Sequence, residues 1–144
     1  MDGAAQAGMI LAGVERLATL ERYLIVAKFA RQGVACACGS ACCSGERKNP
    51  QWVEAIDRLT GAVLAVLPGV SHYRLRRAMV EKYFVEEYGG GSMSLKGIAN
   101  ACGVARNTVS AQHAKVRKAL ESADRRGWLQ IKGWLEAAGV VERG

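Results

Sequence analysis

Four of the five cysteines stand within eight residues, in "CACGSACC" from Cys36 to Cys43. The thiolates of Cys36, Cys38, Cys42 and Cys43 are enough for a tetrahedral zinc ion, and the small residues between them let the chain wrap it. The spacing, C-x-C-x3-C-C, departs from ribbons and fingers, which set two C-x2-C hooks a dozen or more residues apart. Two readings therefore stand: zinc, with His72 or Cys102 able to replace one ligand, or a loop of small thiols. A nucleophilic cysteine is not expected, because neither histidine is near in sequence and no carboxylate orients one.

A second set of residues has the chemistry of a DNA groove. Within "SLKGIANACGVARNTVSAQHAKVRKAL", Ser94 to Leu120, the stretch from Arg106 carries Asn107, Thr108, Ser110, Gln112, Lys115, Arg117 and Lys118. Arginine pairs bidentately with guanine and Asn or Gln with adenine; hydroxyls and lysines hold phosphate. Between Ser94 and Arg126 seven basic residues face two acidic ones, so this part carries about +5 of the chain's formal +7. His113 has two readings, a contact to phosphate or base and packing beside Val109 and Val116. Trp52, Trp128 and Trp134 could stack on bases, but the first two fall on apolar stripes and are expected in the core.

For those polar residues to enter a groove, two helices must hold them. Ser94 is placed to cap the first, Ile98 to face the core, and Ala99 to let a second helix cross closely. Gly103 can adopt the left-handed conformation of the turn. Val104 and Val109 then plug the space between the helices, and the second helix is expected to run to about Leu120. The sequence predicts a helix-turn-helix over 92–122.

The rest of the chain reads as helical support. Ile10, Val14, Leu17, Leu20 or Leu24, and Ala27 predict one helix from about Met9 to Arg31, ended by Gly33. A Cys-rich loop follows over 33–48. Asn49 as N-cap and Pro50 at the first helical position start a second helix with the stripe Trp52, Ile56, Leu59, Val63 and Leu67, broken at Pro68–Gly69. Ser71 is placed to cap a third, with the stripe Leu75, Met79, Tyr83 and Phe84 and with Arg74, Arg76, Arg77, Lys82, Glu86 and Glu87 around it. Gly89 to Gly91 end it, closing a helical body over 49–91. A C-terminal amphipathic helix, within 123–144, carries Trp128, Ile131, Leu135 and Ala138. No period of two and no repeat is present, so the expected fold is all-α: a small helical domain with a C-terminal helix-turn-helix and an irregular Cys-rich loop.

Composition agrees. Half the residues are hydrophobic and 23% charged, as in ordinary globular proteins. The net charge of +7 and a pI near 9.4 favour a polyanionic partner, with nucleic acid ahead of membrane. Charged residues interrupt Ile10 to Ala30 at helical spacing, so a bilayer would reject that stretch. No secretory leader is visible, which points to a reducing cytoplasm and to thiols instead of disulfides. A phosphate-cradling loop, paired catalytic carboxylates and a Ser/His/Asp order are all missing from the sequence, so an enzyme is not expected.

The helix-turn-helix stretch, with "CCSG" at Cys42–Gly45 and "NPQWVEAI" at Asn49–Ile56 before it, resembles bacteriophage late-gene antitermination proteins of the Q type and related uncharacterised phage proteins. The likeness covers about Gly33 to Val141, and its long second helix is also similar to that of the promoter-reading fourth region of sigma factors. It implies a protein that binds DNA at a late promoter, loads onto paused host RNA polymerase with sigma attached, and carries it through terminators. Arg106, Asn107, Thr108, Ser110 and Lys115 would then face DNA, and the body of Trp52–Leu67 and Leu75–Tyr88 the polymerase. Two other readings stand beside it. One is a dimeric repressor or activator, self-associating through the helix of Trp128 to Ala138; the other is a ring-forming DNA-packaging adaptor.

Overall fold

The computed structural model describes residues 3–40, 45–88 and 94–139. Among these there are six helices and one small sheet, in the order α1 (Gly3–Arg16), α2 (Thr19–Phe29), β1 (Gly33–Ala35), β2 (Glu46–Lys48), α3 (Pro50–Val66), α4 (Tyr73–Tyr88), α5 (Leu95–Cys102) and α6 (Arg106–Ala137). The all-α expectation holds. Cys42 and Cys43 of the loop, Gly89 to Gly91 and the last five residues of the chain lie outside the described residues.

The stripe of Val14, Leu17, Leu20, Leu24 and Ala27 is buried as its spacing predicts. It does not lie on one helix, however. The backbone leaves α1 at Leu17 and restarts from Ala18, which is extended at φ −61° and ψ 159°. No proline or glycine sits at this break. The two helices pack differently: α1 lies on α6 and α2, whereas α2 packs between α3 and α6.

Where the sequence shows no periodicity, two short strands pair antiparallel, Gly33 with Lys48, Val34 with Arg47 and Ala35 with Glu46. The expected irregular loop is thus a hairpin with a long tip. The Cys36 N–H donates to the Gly45 carbonyl at 2.8 Å and the Asn49 N–H to the Gln32 carbonyl at 2.9 Å, extending the ladder at both ends. Three-residue strands are too short for an alternating pattern to register in sequence.

Asn49 caps α3 as its type predicts, its Oδ1 accepting the Gln51 N–H at 3.1 Å with Pro50 in the first turn. Its Nδ2 also donates to the Arg31 carbonyl, tying the start of α3 to the chain leaving α2. The cap of α4 is His72 and not Ser71: His72 Nδ1 accepts the Leu75 N–H at 3.1 Å. That contact occupies one ring nitrogen of a residue considered as a zinc ligand.

Two α4 residues expected on its solvent side, Arg76 and Lys82, are buried. Arg76 Nε donates to the Thr60 carbonyl at 2.6 Å, and its Nη1 to the carbonyls of Val70 and Ser71 at 2.9 and 3.2 Å. A buried guanidinium persists only where its donors are met, and here α3 supplies one carbonyl and the α3–α4 connection two. Arg76 thus braces that connection from inside.

Candidate nucleic-acid interface

Each mark of the turn between α5 and α6 has its physical counterpart. Ser94 Oγ accepts the Gly97 N–H at 3.0 Å, capping α5. Gly103 is left-handed at φ 66° and ψ 33°, and its N–H donates to the Ala99 carbonyl. The Val104 N–H donates to the same carbonyl at 3.1 Å, so one oxygen closes the helix. Ile98, Ala99 and Val109 are buried and Val104 is half-buried.

α6 is one helix of 32 residues, about 48 Å long at the usual rise per residue. The sequence predicts instead a helix ending near Leu120 and a separate one over 123–144. Gly127, just beyond that boundary, is a close-approach residue within the continuous helix. A Cβ there would stand 3.1 Å from Ile25 Cδ1 and 3.4 Å from Glu21 Cβ, so the missing side chain lets α2 lie against α6. Val109, His113, Val116, Leu120, Ala123, Gly127, Ile131 and Leu135 form its buried row. His113 belongs to the packing and not to the surface.

Ion pairs fasten the middle of α6 to α2: Lys28 Nζ to Asp124 Oδ2 at 3.3 Å and Arg126 Nε to Glu21 Oε1 at 3.0 Å. Farther on, the Arg16 guanidinium lies over the Trp134 ring and Phe29 meets Trp128 edge-on at 6.0 Å. Trp52 is buried, while Trp128 and Trp134 are half-buried in these contacts. The two-thirds of α6 toward its C-terminus is therefore committed to the fold.

Its first two turns are not. Arg106, Asn107, Thr108, Ser110 and Ala111 are all exposed, interrupted only by buried Val109. Ala105 offers no side-chain cap, so the first amide groups of α6 point outward unmet by a side chain. Arg106, Lys115 and Lys118 enter no ion pair among the described residues, whereas Arg117 is held by Glu121 at 3.1 Å. Gln112 departs from the expectation. It is half-buried beside the Pro68–Val70 turn, with Oε1 buried and lacking a hydrogen-bond partner.

By helical spacing the predicted set divides into three rows. Arg106, Ser110 and Arg117 share one edge; Asn107, Ala111 and Lys118 stand opposite the buried row; Thr108, Gln112 and Lys115 run along the edge nearest α3. The sequence alone predicts all of them to be exposed.

Of the four cysteines, Cys36 is half-buried and Cys38 exposed just beyond β1. Among the described residues no three His, Cys, Asp or Glu side chains gather as a metal site. Cys102 is half-buried at the end of α5. No described helix is long and apolar enough to cross a membrane. Comparison with models of protein families, with curated proteins and with solved structures finds no match to this chain.

Proposed function

We propose that this protein binds double-stranded DNA in a sequence-dependent way and acts in transcription, gripping the duplex through α5 and the first turns of α6. One observation carries the reading: the start of α6 stands clear of the core with uncapped amides, an unpaired Arg106, and Asn107, Thr108 and Ser110 beside it. Outward amides at a helix N-terminus suit a phosphate, and Arg and Asn suit base edges in the major groove. Lys115 and Lys118 add charge for the backbone.

Within that class, the role proposed from the likeness to Q-type antiterminators is binding near a phage late promoter and travelling with host RNA polymerase and sigma past terminators. A dimeric repressor gains no support from the helix of Trp128 to Ala138. Its apolar residues Ile131 and Leu135 are buried within the same chain, and Arg16 covers Trp134. Transcription by host polymerase on a template with the late promoter and a downstream terminator tests the role. Readthrough that rises only with the promoter-proximal DNA supports it; lost initiation with unchanged readthrough replaces it with repression.

Zinc is proposed as a ligand of the Cys36–Cys43 loop, on the ground that the hairpin brings the two ends of that loop together at Cys36 and Gly45. Purified protein should carry about one equivalent of the metal. A content below roughly a tenth of that removes zinc from the description.

A further inference from the structure

A groove runs along the α3 side of α6, with Leu20, Val66 and Leu67 as its floor and Lys115, Lys118 and Arg126 on its rim. Its volume is about 350 Å³. Toward the start of α6 it continues past Val66, Leu67 and Lys115 into a second hollow of about 180 Å³ that reaches Gln112 and Pro68. From Gln112 to Arg126 the wall is about 21 Å long at the helical rise.

The two kinds of lining select the occupant. Val66 is 50% exposed at the end of α3, left open by the described residues. Among the described residues no carboxylate lines either hollow; Glu21 reaches Arg126, at the far end. DNA phosphates would use the amines and leave the apolar floor in water, and a wholly apolar partner would cover the floor while desolvating the amines. An amphipathic helix with an apolar stripe and Asp or Glu along one flank satisfies both. At about 21 Å the groove takes about 14 residues, or four turns. Its rim lies away from the edge formed by Arg106, Ser110 and Arg117 but shares Lys115 and Lys118 with the proposed DNA contacts, so DNA and such a helix would meet only at those two lysines.

We infer that this groove docks an acidic amphipathic helix, about four turns long, from a protein partner. The inference does not depend on the DNA reading, because the groove's floor belongs to α2 and α3.

A fluorescein-labelled peptide of about 16 residues, with Leu at helical i, i+3, i+4 spacing and Glu beside it, is titrated against the full chain by anisotropy. The comparison peptides are a scramble of the same composition and one with Lys replacing Glu. The designed peptide should bind at least ~10-fold tighter than either, since both the stripe and the charge are needed. Val66→Glu, at an exposed position, should weaken it by ~10-fold while duplex affinity changes less than ~2-fold. Lys115→Glu combined with Lys118→Glu should weaken the peptide as well. Binding of the scramble within ~2-fold of the designed peptide would reduce the groove to a diffuse cation patch. Absence of binding, or indifference to Val66→Glu, overturns the inference. Equal loss of peptide and duplex on Val66→Glu would overturn it too, by giving the groove to DNA.

Discussion

The guanidinium of Arg16 lies 4.2 Å from the centre of the Trp134 ring, joining α1 to the far end of α6. Gly13 stands beside the same indole, where a Cβ would lie 3.4 Å from it. The last turns of α6 are thus sealed by the first helix of the same chain. Trp134→Ala should cost about 2–3 kcal/mol through lost packing and the lost cation–π contact. Thermal unfolding reads the loss. If the protein instead dimerises through these turns, the mutation should alter its mass in solution and leave the monomer's stability nearly intact.

Arg76 gives the strongest stability prediction. Arg76→Met fills much of the same volume but deserts the carbonyls of Thr60, Val70 and Ser71, so denaturant unfolding should show a loss of about 3 kcal/mol. Arg76→Lys should restore only part, because an ammonium lacks the planar fork that reaches both the α3 carbonyl and the turn. Wild-type stability in Arg76→Met would mean that these hydrogen bonds do not brace the connection.

Two glycines act by different physics. At Gly103 a side chain has room, with nothing within 4 Å, but the backbone is left-handed. Gly103→Asn should therefore be tolerated better than Gly103→Val, which should cost about 2 kcal/mol or more. At Gly127 the backbone is helical and the space is missing, so Gly127→Val should cost about 1–3 kcal/mol by pushing α2 from α6. Matched melting curves for Gly103→Asn and Gly103→Val would contradict the left-handed explanation.

At the first turns of α6, proposed to meet DNA, the variants separate base reading from phosphate binding. Arg106→Ala and Asn107→Ala should each remove about 1–3 kcal/mol of discrimination between the target and random duplexes. Lys118→Ala should weaken every duplex alike and reduce the salt slope by about one. Competition binding across a salt series distinguishes these. Equal losses on target and random DNA for all three variants would show that α6 does not read bases.

Much of this fold was legible because its signals are local. Asn49 with Pro50, Ser94, and Gly103 four residues after Ala99 each act on backbone groups within a turn, and each is where its residue type predicts. The exposed start of α6 was legible for a related reason: Arg106, Asn107, Thr108 and Ser110 lie beside the turn that positions them. Gln112 was misread because its exposure depends on the α3–α4 turn, far away in sequence. Arg76 was misread similarly, since the Thr60 carbonyl of another helix and the two of the preceding turn together make its burial tolerable.

The sequence by itself determined the helical class, the apolar stripes, the caps and the sharp turn before α6, because periodicity and capping are properties of neighbouring residues. Only the tertiary structure decided that α1 and α2 part at Leu17 and that α6 continues through Gly127. It also closed the hairpin and left a basic, apolar-floored groove beside α6. Those outcomes depend on which surfaces meet, and the free energy of burial that selects them comes from residues far apart along the chain.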